Sequence, residues 1–250
     1  MYALVTGASS GIGRDISICL STKGYDLILV GRNEEKLKET AKTLKTKSKI
    51  IVSDLSEPKN CIDLYEQVKD LNIEILVNNA GYGIFGKFDE IDIDKQINMI
   101  NLNITALDIL TKLFLRDMKR KNSGYILNVA SSASFMPGPL LSTYYGSKAY
   151  VRRISEAIYE ELRRDKYNIH ISVLCPGPVD TGFNDRAGVK FSVSGLTSEF
   201  VASYAVKKMF KKKLIIIPGL GMRIGCSLIK FVPTKLLLKF AYNFQKRKDD

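Results

Sequence analysis

The stretch Ala3-Leu4-Val5-Thr6-Gly7-Ala8-Ser9-Ser10-Gly11-Ile12-Gly13 joins a short apolar run to a glycine-rich turn near the start of the chain. The apolar run predicts a β-strand, and the amphipathic pattern that begins near residue 12 predicts a helix. Glycines in such a turn let the backbone approach a pyrophosphate, and the N-terminus of the helix supplies free N–H groups and a favourable dipole. The stretch therefore predicts a strand-turn-helix unit that can bind a phosphate group.

The glycine spacing alone supports this interpretation only weakly. It is G-x-x-x-G-x-G over Gly7, Gly11 and Gly13, whereas the common dinucleotide-binding fingerprint is G-x-G-x-x-G. A tight turn without a ligand explains the three glycines equally well. The strand and helix patterns around them favour the dinucleotide site.

Short apolar runs alternate with amphipathic stretches over most of the 250 residues. This alternation implies parallel β-α-β units, and continuously apolar strands are typical of a sheet that helices cover on both faces. The sequence predicts one α/β domain, residues 1–250, with a doubly wound parallel β-sheet. The predicted strands are Ala3–Thr6, Asp26–Val30, Lys49–Val52, Ile75–Asn78, Tyr125–Ala130 and Ile169–Cys175. The predicted helices lie near 12–23, 33–46, 57–70, 92–120 and 143–166, a loop with short helices is expected over 177–206, and a last helix begins at Pro233-Thr234.

The formal net charge of +12 is concentrated at the C-terminal end. Residues 207–250 contain twelve Lys or Arg against two Asp, a net charge of +10, which leaves +2 for residues 1–206. This asymmetry argues against a nucleic-acid-binding protein, which would carry basic residues more generally, and indicates a local feature of the C-terminal region.

The residue types that bind metals or form disulfides are scarce. Cys19, Cys61, Cys175 and Cys226 are widely scattered without C-x-x-C spacing, and His170 is the only histidine. We therefore expect no metal site, no disulfide framework and no histidine-based triad, and we predict a cytoplasmic location. The first strand begins at once, which leaves no room for a secretory signal, and no apolar run reaches the roughly 18 residues of a membrane span.

The pair Tyr144 and Lys148 gives the strongest indication of function. Tyr-x-x-x-Lys also occurs at Tyr65 and Tyr204, but only the copy at 144 has a serine, Ser131, thirteen residues upstream. Tyrosine and lysine four residues apart share one face of a helix. For the other two copies, packing of a helix is the favoured interpretation.

Together these motifs, with Asn78-Asn79-Ala80-Gly81, resemble the short-chain dehydrogenase/reductase family, in the compact branch whose length this chain matches. The resemblance covers residues 1–185, which it identifies as the dinucleotide-binding and catalytic core. It implies a Rossmann-like fold and hydride transfer between a nicotinamide cofactor and a carbonyl or alcohol. Residues 186–250 show little of the family pattern, and in the family this part builds the substrate pocket.

The resemblance also implies a role for each matching residue. Catalysis falls to Asn103, Ser131, Tyr144 and Lys148. Tyr144 is the implied general acid/base, and Lys148 is implied to tune it and to bind the nicotinamide ribose. Ser131 is implied to hold the substrate oxygen, and Asn103, rather than the nearby Asn98, to order a water relay. The expected cofactor-binding residues are Gly7, Ser9, Ser10, Gly11, Ile12, Gly13, Arg32, Asp54, Leu55, Asn79, Ala80, Gly81, Tyr144, Lys148, Pro176, Gly177, Val179 and Thr181.

Tyr144 needs a lowered pKa for this role, because the pKa of tyrosine, about 10, is poorly matched to neutral pH. A positive charge about 4 Å away contributes about 4 kcal/mol at an effective dielectric near 20, which is roughly three pKa units at most. We expect Lys148 and the oxidised nicotinamide to lower the pKa of Tyr144 toward about 7.

Arg32 determines which cofactor we expect. The second strand ends in Val30-Gly31-Arg32-Asn33, so no carboxylate is present to bind a ribose 2′-OH. An arginine can bind a 2′-phosphate with two hydrogen bonds, so NADP(H) is preferred over NAD(H). A solvated loop arginine is the alternative. Asp54, after the third strand, is expected either to contact the adenine or to cap the next helix.

The C-terminal region alternates apolar clusters with basic residues. In the last predicted helix, Leu237, Phe240, Ala241 and Phe244 form an apolar stripe. Two interpretations stay open: the stripe packs on the core or on a second subunit, which is favoured, or residues 207–248 contact an anionic membrane peripherally. The apolar tail also suggests a lipophilic substrate, such as a long-chain 3-oxoacyl compound or a steroid-like ketone. The basic residues beside the stripe are Lys235, Lys239, Lys246, Arg247 and Lys248.

The predicted function is NADP(H)-dependent carbonyl reduction or alcohol oxidation. The family resemblance also implies a homodimer or homotetramer built from the helices around 101–118 and 143–164. A sensor or scaffold that binds NADP(H) without turnover is the alternative, against which the complete set of four catalytic residues argues. An epimerase or dehydratase of the extended branch of the family is a third hypothesis, against which the short chain and the glycine spacing argue.

Overall fold

One parallel sheet of seven strands forms the centre of the computed structural model, which describes residues 1–181 and 195–246. The strands of the chain are β1 (Tyr2–Thr6), β2 (Asp26–Gly31), β3 (Ser48–Val52), β4 (Ile73–Asn78), β5 (Gly124–Val129), β6 (Ile169–Leu174), β7 (Val179–Asp180), β8 (Leu196–Thr197) and β9 (Ile215–Ile216). The order in the large sheet is β3-β2-β1-β4-β5-β6-β9, and β7 and β8 form a separate pair. This confirms the predicted doubly wound, Rossmann-like α/β fold.

Helices cover both faces of this sheet. They are α1 (Gly11–Ser21), α2 (Glu34–Lys42), α3 (Pro58–Glu66), α4 (Ile93–Ile100), α5 (Ala106–Lys121), α6 (Ser142–Arg164), α7 (Ser198–Phe210), α8 (Leu220–Leu228) and α9 (Thr234–Lys246). Local sequence explains several starts. The Asn33 side chain accepts a hydrogen bond from the Lys36 N–H at 2.9 Å at the start of α2, and Pro58 occupies the first turn of α3.

The apolar core lies in two layers, one on each face of the sheet. Successive strand residues point to opposite faces, so Val5 packs in the layer of α1 and α7, and Leu4 packs in the layer of α3 and α5. Phe114 of α5 is 1% exposed and is among the largest buried side chains. Apolar side chains are needed on both faces of the sheet, and for this reason the central strands are continuous apolar runs in the sequence.

Three features differ from the sequence prediction. The helix predicted over 92–120 is interrupted by a π-helical turn, Asn101–Thr105, between α4 and α5. Strand β9 was not predicted, because two residues are too short to show a period, and it pairs with β6. The loop expected over 177–206 contains β7, β8 and the start of the 13-residue helix α7. Residues 182–194 lie outside the described part of the chain, as do Arg247 and Lys248.

Candidate active site

The glycine-rich turn follows β1, which has β2 on one side and β4 on the other. Ligands of doubly wound sheets bind beyond the carboxyl ends of the strands where the order reverses, and this is such a point. Gly7 and Gly11 have φ angles of 65° and 53°, in the left-handed region that other residues disfavour. Gly13 is required by space instead, because a Cβ there would lie 2.3 Å from the Gly7 carbonyl oxygen. Gly13 thus lets α1 pack closely against the turn.

Asn79, directly after β4, holds this turn in place. Its Nδ2 donates hydrogen bonds to the carbonyl oxygens of Thr6 and Gly7, at 3.0 and 3.2 Å. Its backbone N–H donates to Thr6 Oγ1 at 2.9 Å. The two motifs that are far apart in sequence therefore form one structural unit.

A cavity of about 990 Å³ opens beside this unit. With two exceptions, Gly13 and Asn103, every residue predicted to bind the cofactor or to act in catalysis lines it. The predicted residues in its wall are Gly7, Ser9, Ser10, Gly11, Ile12, Arg32, Asp54, Leu55, Asn79, Ala80, Gly81, Ser131, Tyr144, Lys148, Pro176, Gly177, Val179 and Thr181.

Ser131, Tyr144 and Lys148 meet in one part of the cavity wall. Tyr144 and Lys148 lie one turn apart in α6, as their spacing predicts. Ser131 is the second residue after β5, and its side chain forms a hydrogen bond with Tyr144. Lys148 Nζ donates to the Val129 carbonyl oxygen at 2.9 Å and lies 5.9 Å from the centre of the Tyr144 ring.

The pKa of Tyr144 moves in the direction opposite to the one we expected from Lys148. Burial raises the pKa of Tyr144 to about 12, and the hydrogen bond with Ser131 offsets this only in part. Burial likewise lowers the pKa of Lys148 to about 8. Lys148 reaches a backbone carbonyl instead of the phenol, so the protein groups alone do not bring the phenol pKa toward neutrality. They keep Tyr144 protonated at neutral pH, the form that can donate a proton.

Asn103 lies behind the cavity wall, on the π-helical turn. It is 1% exposed, and its Nδ2 donates to the Tyr82 carbonyl oxygen at 2.9 Å and to Ser147 Oγ at 3.0 Å. Its Oδ1 accepts a hydrogen bond from the Tyr82 N–H at 3.1 Å. A Cβ on Gly81 would lie 2.8 Å from this Oδ1. Asn103 thus connects the Asn-Asn-Ala-Gly loop to the helix that contains Tyr144.

Arg32 and Asp54 face each other at the ends of β2 and β3. Their side chains form an ion pair at 3.6 Å, and 57% of the Arg32 side chain is exposed. Burial acts to raise the pKa of Asp54, but hydrogen bonds from Ser56 and the Arg32 charge outweigh it, and the pKa is lowered. The alternative role that we expected for Asp54, a cap of the next helix, is wrong, because Glu57 occupies the cap position of α3. Asp54 instead closes a turn through Ser56, whose N–H lies 3.0 Å from its Oδ1.

The other part of the cavity wall comes from α8 and α9. Met222 and Cys226 of α8 line it, as do several residues of α9. Gln245 Nε2 donates a hydrogen bond to the hydroxyl of Tyr145 at 2.6 Å, next to Tyr144 in α6. The sequence analysis recognised the apolar stripe of α9 but missed Tyr145, Met222, Cys226 and Gln245, because their spacing alone gives no indication of what they face. The residues of α9 in the wall are Leu237, Phe240, Ala241, Phe244 and Gln245.

The described residues contain no cluster of three or more His, Cys, Asp or Glu side chains that could hold a metal ion. The four cysteines, which all lie in the described part, are free thiols.

Sequence comparison matches residues 1–190 to the family model described as short chain dehydrogenase. An uncharacterized oxidoreductase of Staphylococcus epidermidis is 35% identical over 181 residues, which are 72% of this chain and 78% of that protein. A very-long-chain 3-oxoacyl-CoA reductase of Mycosarcoma maydis is 33% identical over 69% of this chain. The alignment spans about half, 51%, of that reductase.

Solved structures agree with the sequence matches. A short-chain dehydrogenase from Sphingobium yanoikuyae in complex with NADPH superposes with a TM-score of 0.82 at 26% identity, over 93% of this chain and 96% of that one. A short-chain dehydrogenase/reductase from Burkholderia phymatum in complex with NAD shares the fold, with a TM-score of 0.82 at 23% identity over 91% and 92% of the two chains. With its parallel sheet, glycine turn and family match over residues 1–190, the chain belongs to the short-chain dehydrogenase/reductase family of oxidoreductases.

Proposed function

We propose that this protein is an NADP(H)-dependent oxidoreductase that transfers hydride between the nicotinamide and a carbonyl or alcohol group. The observation that carries the proposal is the hydrogen bond between Ser131 and Tyr144 in the wall of the cavity that also contains the glycine turn. One cavity thus contains a glycine turn that suits a phosphate group and a pair of hydroxyl groups that can share a substrate oxygen.

Each residue of the pair has a distinct part in the proposed reduction. When bound, the cofactor supplies the hydride. Ser131 donates a hydrogen bond to the carbonyl oxygen and orients it, and Tyr144, which burial keeps protonated, donates its proton to that oxygen. Lys148 adds positive charge beside the phenolate that remains, and this charge stabilises it.

Cofactor choice rests on Arg32. Its guanidinium lines the cavity and pairs with Asp54 at 3.6 Å, and 57% of the side chain is exposed, so a 2′-phosphate can bind to its exposed side. Asp54 opposes this by placing a negative charge nearby. We propose that Arg32 prevails and that NADP(H) binds more tightly than NAD(H), as the NADPH complex of the Sphingobium relative suggests.

The substrate is proposed to be lipophilic. The part of the cavity wall that α8 and α9 contribute is largely apolar, with Met222, Leu237, Phe240 and Phe244 among its residues. The similarity to a very-long-chain 3-oxoacyl-CoA reductase supports a long-chain 3-oxoacyl group. Residues 186–250 then form the substrate-specific part of the domain, next to the cofactor-binding and catalytic core of residues 1–185.

Assembly and location complete the proposal. We propose a homodimer or homotetramer through the exposed faces of the helices around 101–118 and 143–164, where Tyr150 is 38% exposed. The free state of all four cysteines supports a reducing, cytoplasmic compartment.

The test is the rate of NADPH consumption by the purified protein with ketones and 3-oxoacyl thioesters of increasing chain length, with NADH in parallel. The proposal predicts a rate that rises with chain length and is higher with NADPH. Tyr144→Phe is the control, because it should bind NADPH but reduce carbonyl compounds far more slowly. Tight NADPH binding without turnover of any substrate would contradict the proposed enzyme and would favour a sensor.

A further inference from the structure

The outer side of α8 is apolar, although its inner side already lines the cavity. Leu220, Ile224 and Leu228 recur every four residues along the helix and are 63%, 51% and 56% exposed. Met222 and Cys226 lie on the opposite side of the helix, in the cavity wall. A surface helix is expected to be polar on the side away from the core. This helix therefore has a second apolar side that the described residues do not cover.

The next segments continue the pattern. Phe231, in the short 3₁₀ turn after α8, is 74% exposed, and Leu236 and Phe240 of α9 are 60% and 73% exposed. More than half of the large apolar side chains that are exposed in the described part of the chain lie between residues 220 and 244. Apolar patches of this kind mark interaction sites. We call Leu220, Ile224, Leu228, Phe231, Leu236 and Phe240 the outer apolar face.

The charges around the outer apolar face have one sign. Arg223, Lys230, Lys235, Lys239 and Lys246 lie within or beside these helices, and the sequence has no Asp or Glu between residues 199 and 249. A second copy of this chain that docked symmetrically on the face would bring these positive charges together, which is unfavourable. An anionic lipid surface complements both the apolar side chains and the positive charge.

The outer apolar face also includes the rim of the cavity. Phe240 is 73% exposed and also lines the cavity, so it lies at the opening. None of the helices in the described ranges has the length and hydropathy to span a bilayer. An exposed apolar face flanked by basic residues suits docking in the plane of the interface.

We propose that the outer apolar face docks on the surface of an anionic lipid bilayer, with the basic residues at the headgroups and the opening of the cavity toward the acyl chains. This goes beyond the proposed oxidoreductase function, because docking requires neither cofactor nor turnover. It also provides a route by which a lipophilic molecule could enter the cavity without crossing water.

Flotation of the full-length protein with lipid vesicles tests the proposal. The parent should float with vesicles of phosphatidylcholine mixed with phosphatidylglycerol, and at least about tenfold less with phosphatidylcholine alone, since the basic residues beside the outer apolar face are attracted to an anionic surface. Ile224→Glu/Leu236→Glu should lower binding to the mixed vesicles about tenfold or more. Neither residue lines the cavity.

The matched control is Ile62→Glu/Ile93→Glu, which changes two apolar residues that are 48% and 63% exposed outside the outer apolar face. It should bind vesicles like the parent, and circular dichroism melting verifies that both double variants are folded. Loss of binding in the control to the same extent, or no flotation of the parent, would overturn the proposal. A third outcome would also overturn it: the parent does not float, and light scattering shows that Ile224→Glu/Leu236→Glu converts an oligomer to monomers. The outer apolar face would then be a subunit interface. No substrate or cofactor is present, so the result is independent of the oxidoreductase assay.

Discussion

Residues 1–181 leave few of their large apolar side chains exposed, whereas residues 220–246 leave most of theirs exposed. The same division is seen in the comparisons, because the family model matches residues 1–190. The first region must form a sheet and, in the proposed enzyme, also hold a cofactor of fixed shape, so its side chains have little freedom. The second region contacts whatever enters the cavity or lies outside it. The fold and the proposed chemistry therefore depend on residues 1–181, whereas the contacts with other molecules depend on residues 220–246.

The largest expected effect contrasts two tyrosines that occur in the same pattern. Tyr144→Phe should lower the rate of carbonyl reduction about 10²–10⁴-fold, because it removes the proposed acid, while NADPH binding is retained. Tyr204 of α7 has nearly the same local geometry, since the Lys208 ammonium lies 5.2 Å from the centre of its ring. Tyr204→Phe should leave the rate unchanged in the same NADPH assay. A similar loss in both variants would show that the effect is structural and would remove the functional contrast between the regions.

A second contrast concerns two phenylalanines, and the quantity is the free energy of unfolding. Phe114 is 1% exposed and Phe231 is 74% exposed. Phe114→Ala should lower the free energy of unfolding by about 3–5 kcal/mol, because it leaves a cavity in the core. Phe231→Ala should change it by less than about 0.5 kcal/mol. Urea denaturation of both variants measures the difference, and a large cost at Phe231 would mean that residues 220–246 pack more tightly than their exposure indicates.

A third contrast compares two lysines, and the quantity is the pH dependence of the free energy of unfolding. Burial lowers the pKa of Lys148 from 10.5 to about 8, so between these values the unfolded chain binds more protons than the folded protein. The cost of burying the charge is fully present below about pH 8, and the parent becomes more stable as pH rises through this window. Relative to Lys148→Met, the parent should gain about 2–3 kcal/mol of unfolding free energy between pH 7 and 10. Relative to Lys239→Met, which changes an exposed residue of α9, the parent should gain no unfolding free energy over the same pH range.

Urea denaturation at several pH values measures this pH dependence, and the comparison with each variant cancels all other titrating groups that they share. A parallel course of parent and Lys148→Met across the window would contradict the burial of a charged Lys148.

The smallest expected effect contrasts two arginines. Arg32→Ala should raise the KM for NADPH about 10- to 100-fold and leave that for NADH nearly unchanged, because only NADPH has a 2′-phosphate. Arg223→Ala, on α8, should change neither value. Initial-rate kinetics with both cofactors measure this, and an equal rise for NADPH and NADH would show that Arg32 does not recognise the phosphate.

The sequence predicted the strands and turns whose formation depends mainly on neighbouring residues. The apolar runs located β1 to β6, since all of these strands except the edge strand β3 are largely buried, and the glycine turn located the candidate site because Gly7 and Gly11 have positive φ. Strand β9 escaped prediction because two residues carry no period. The π-helical turn around Asn103 escaped as well, since its sequence is compatible with an ordinary helix.

Contacts that join distant segments could not be predicted. Nothing near Lys148 in sequence shows that its ammonium would bind the Val129 carbonyl, or how strongly burial would raise the phenol pKa of Tyr144. The ion pair of Arg32 with Asp54 depends on the adjacency of β2 and β3, which the order of strands along the chain does not specify. The roles of individual site residues and the preference for NADP(H) stay predictions.

The adjacency of Tyr144 and Tyr145 has a consequence for how such a chain can evolve. Tyr144 forms a hydrogen bond with Ser131, while Tyr145 accepts a hydrogen bond from Gln245 of α9, a helix outside the residues that the family model matches. If the proposed function holds, mutations at Leu237 or Phe240 alter the range of substrates one at a time. Position 245 is different, because a change there leaves the half-buried Tyr145 hydroxyl without this donor unless position 145 changes as well. In the proposed enzyme, substrate preference can thus drift along α9 across generations, while its attachment beside Tyr144 is inherited as a pair.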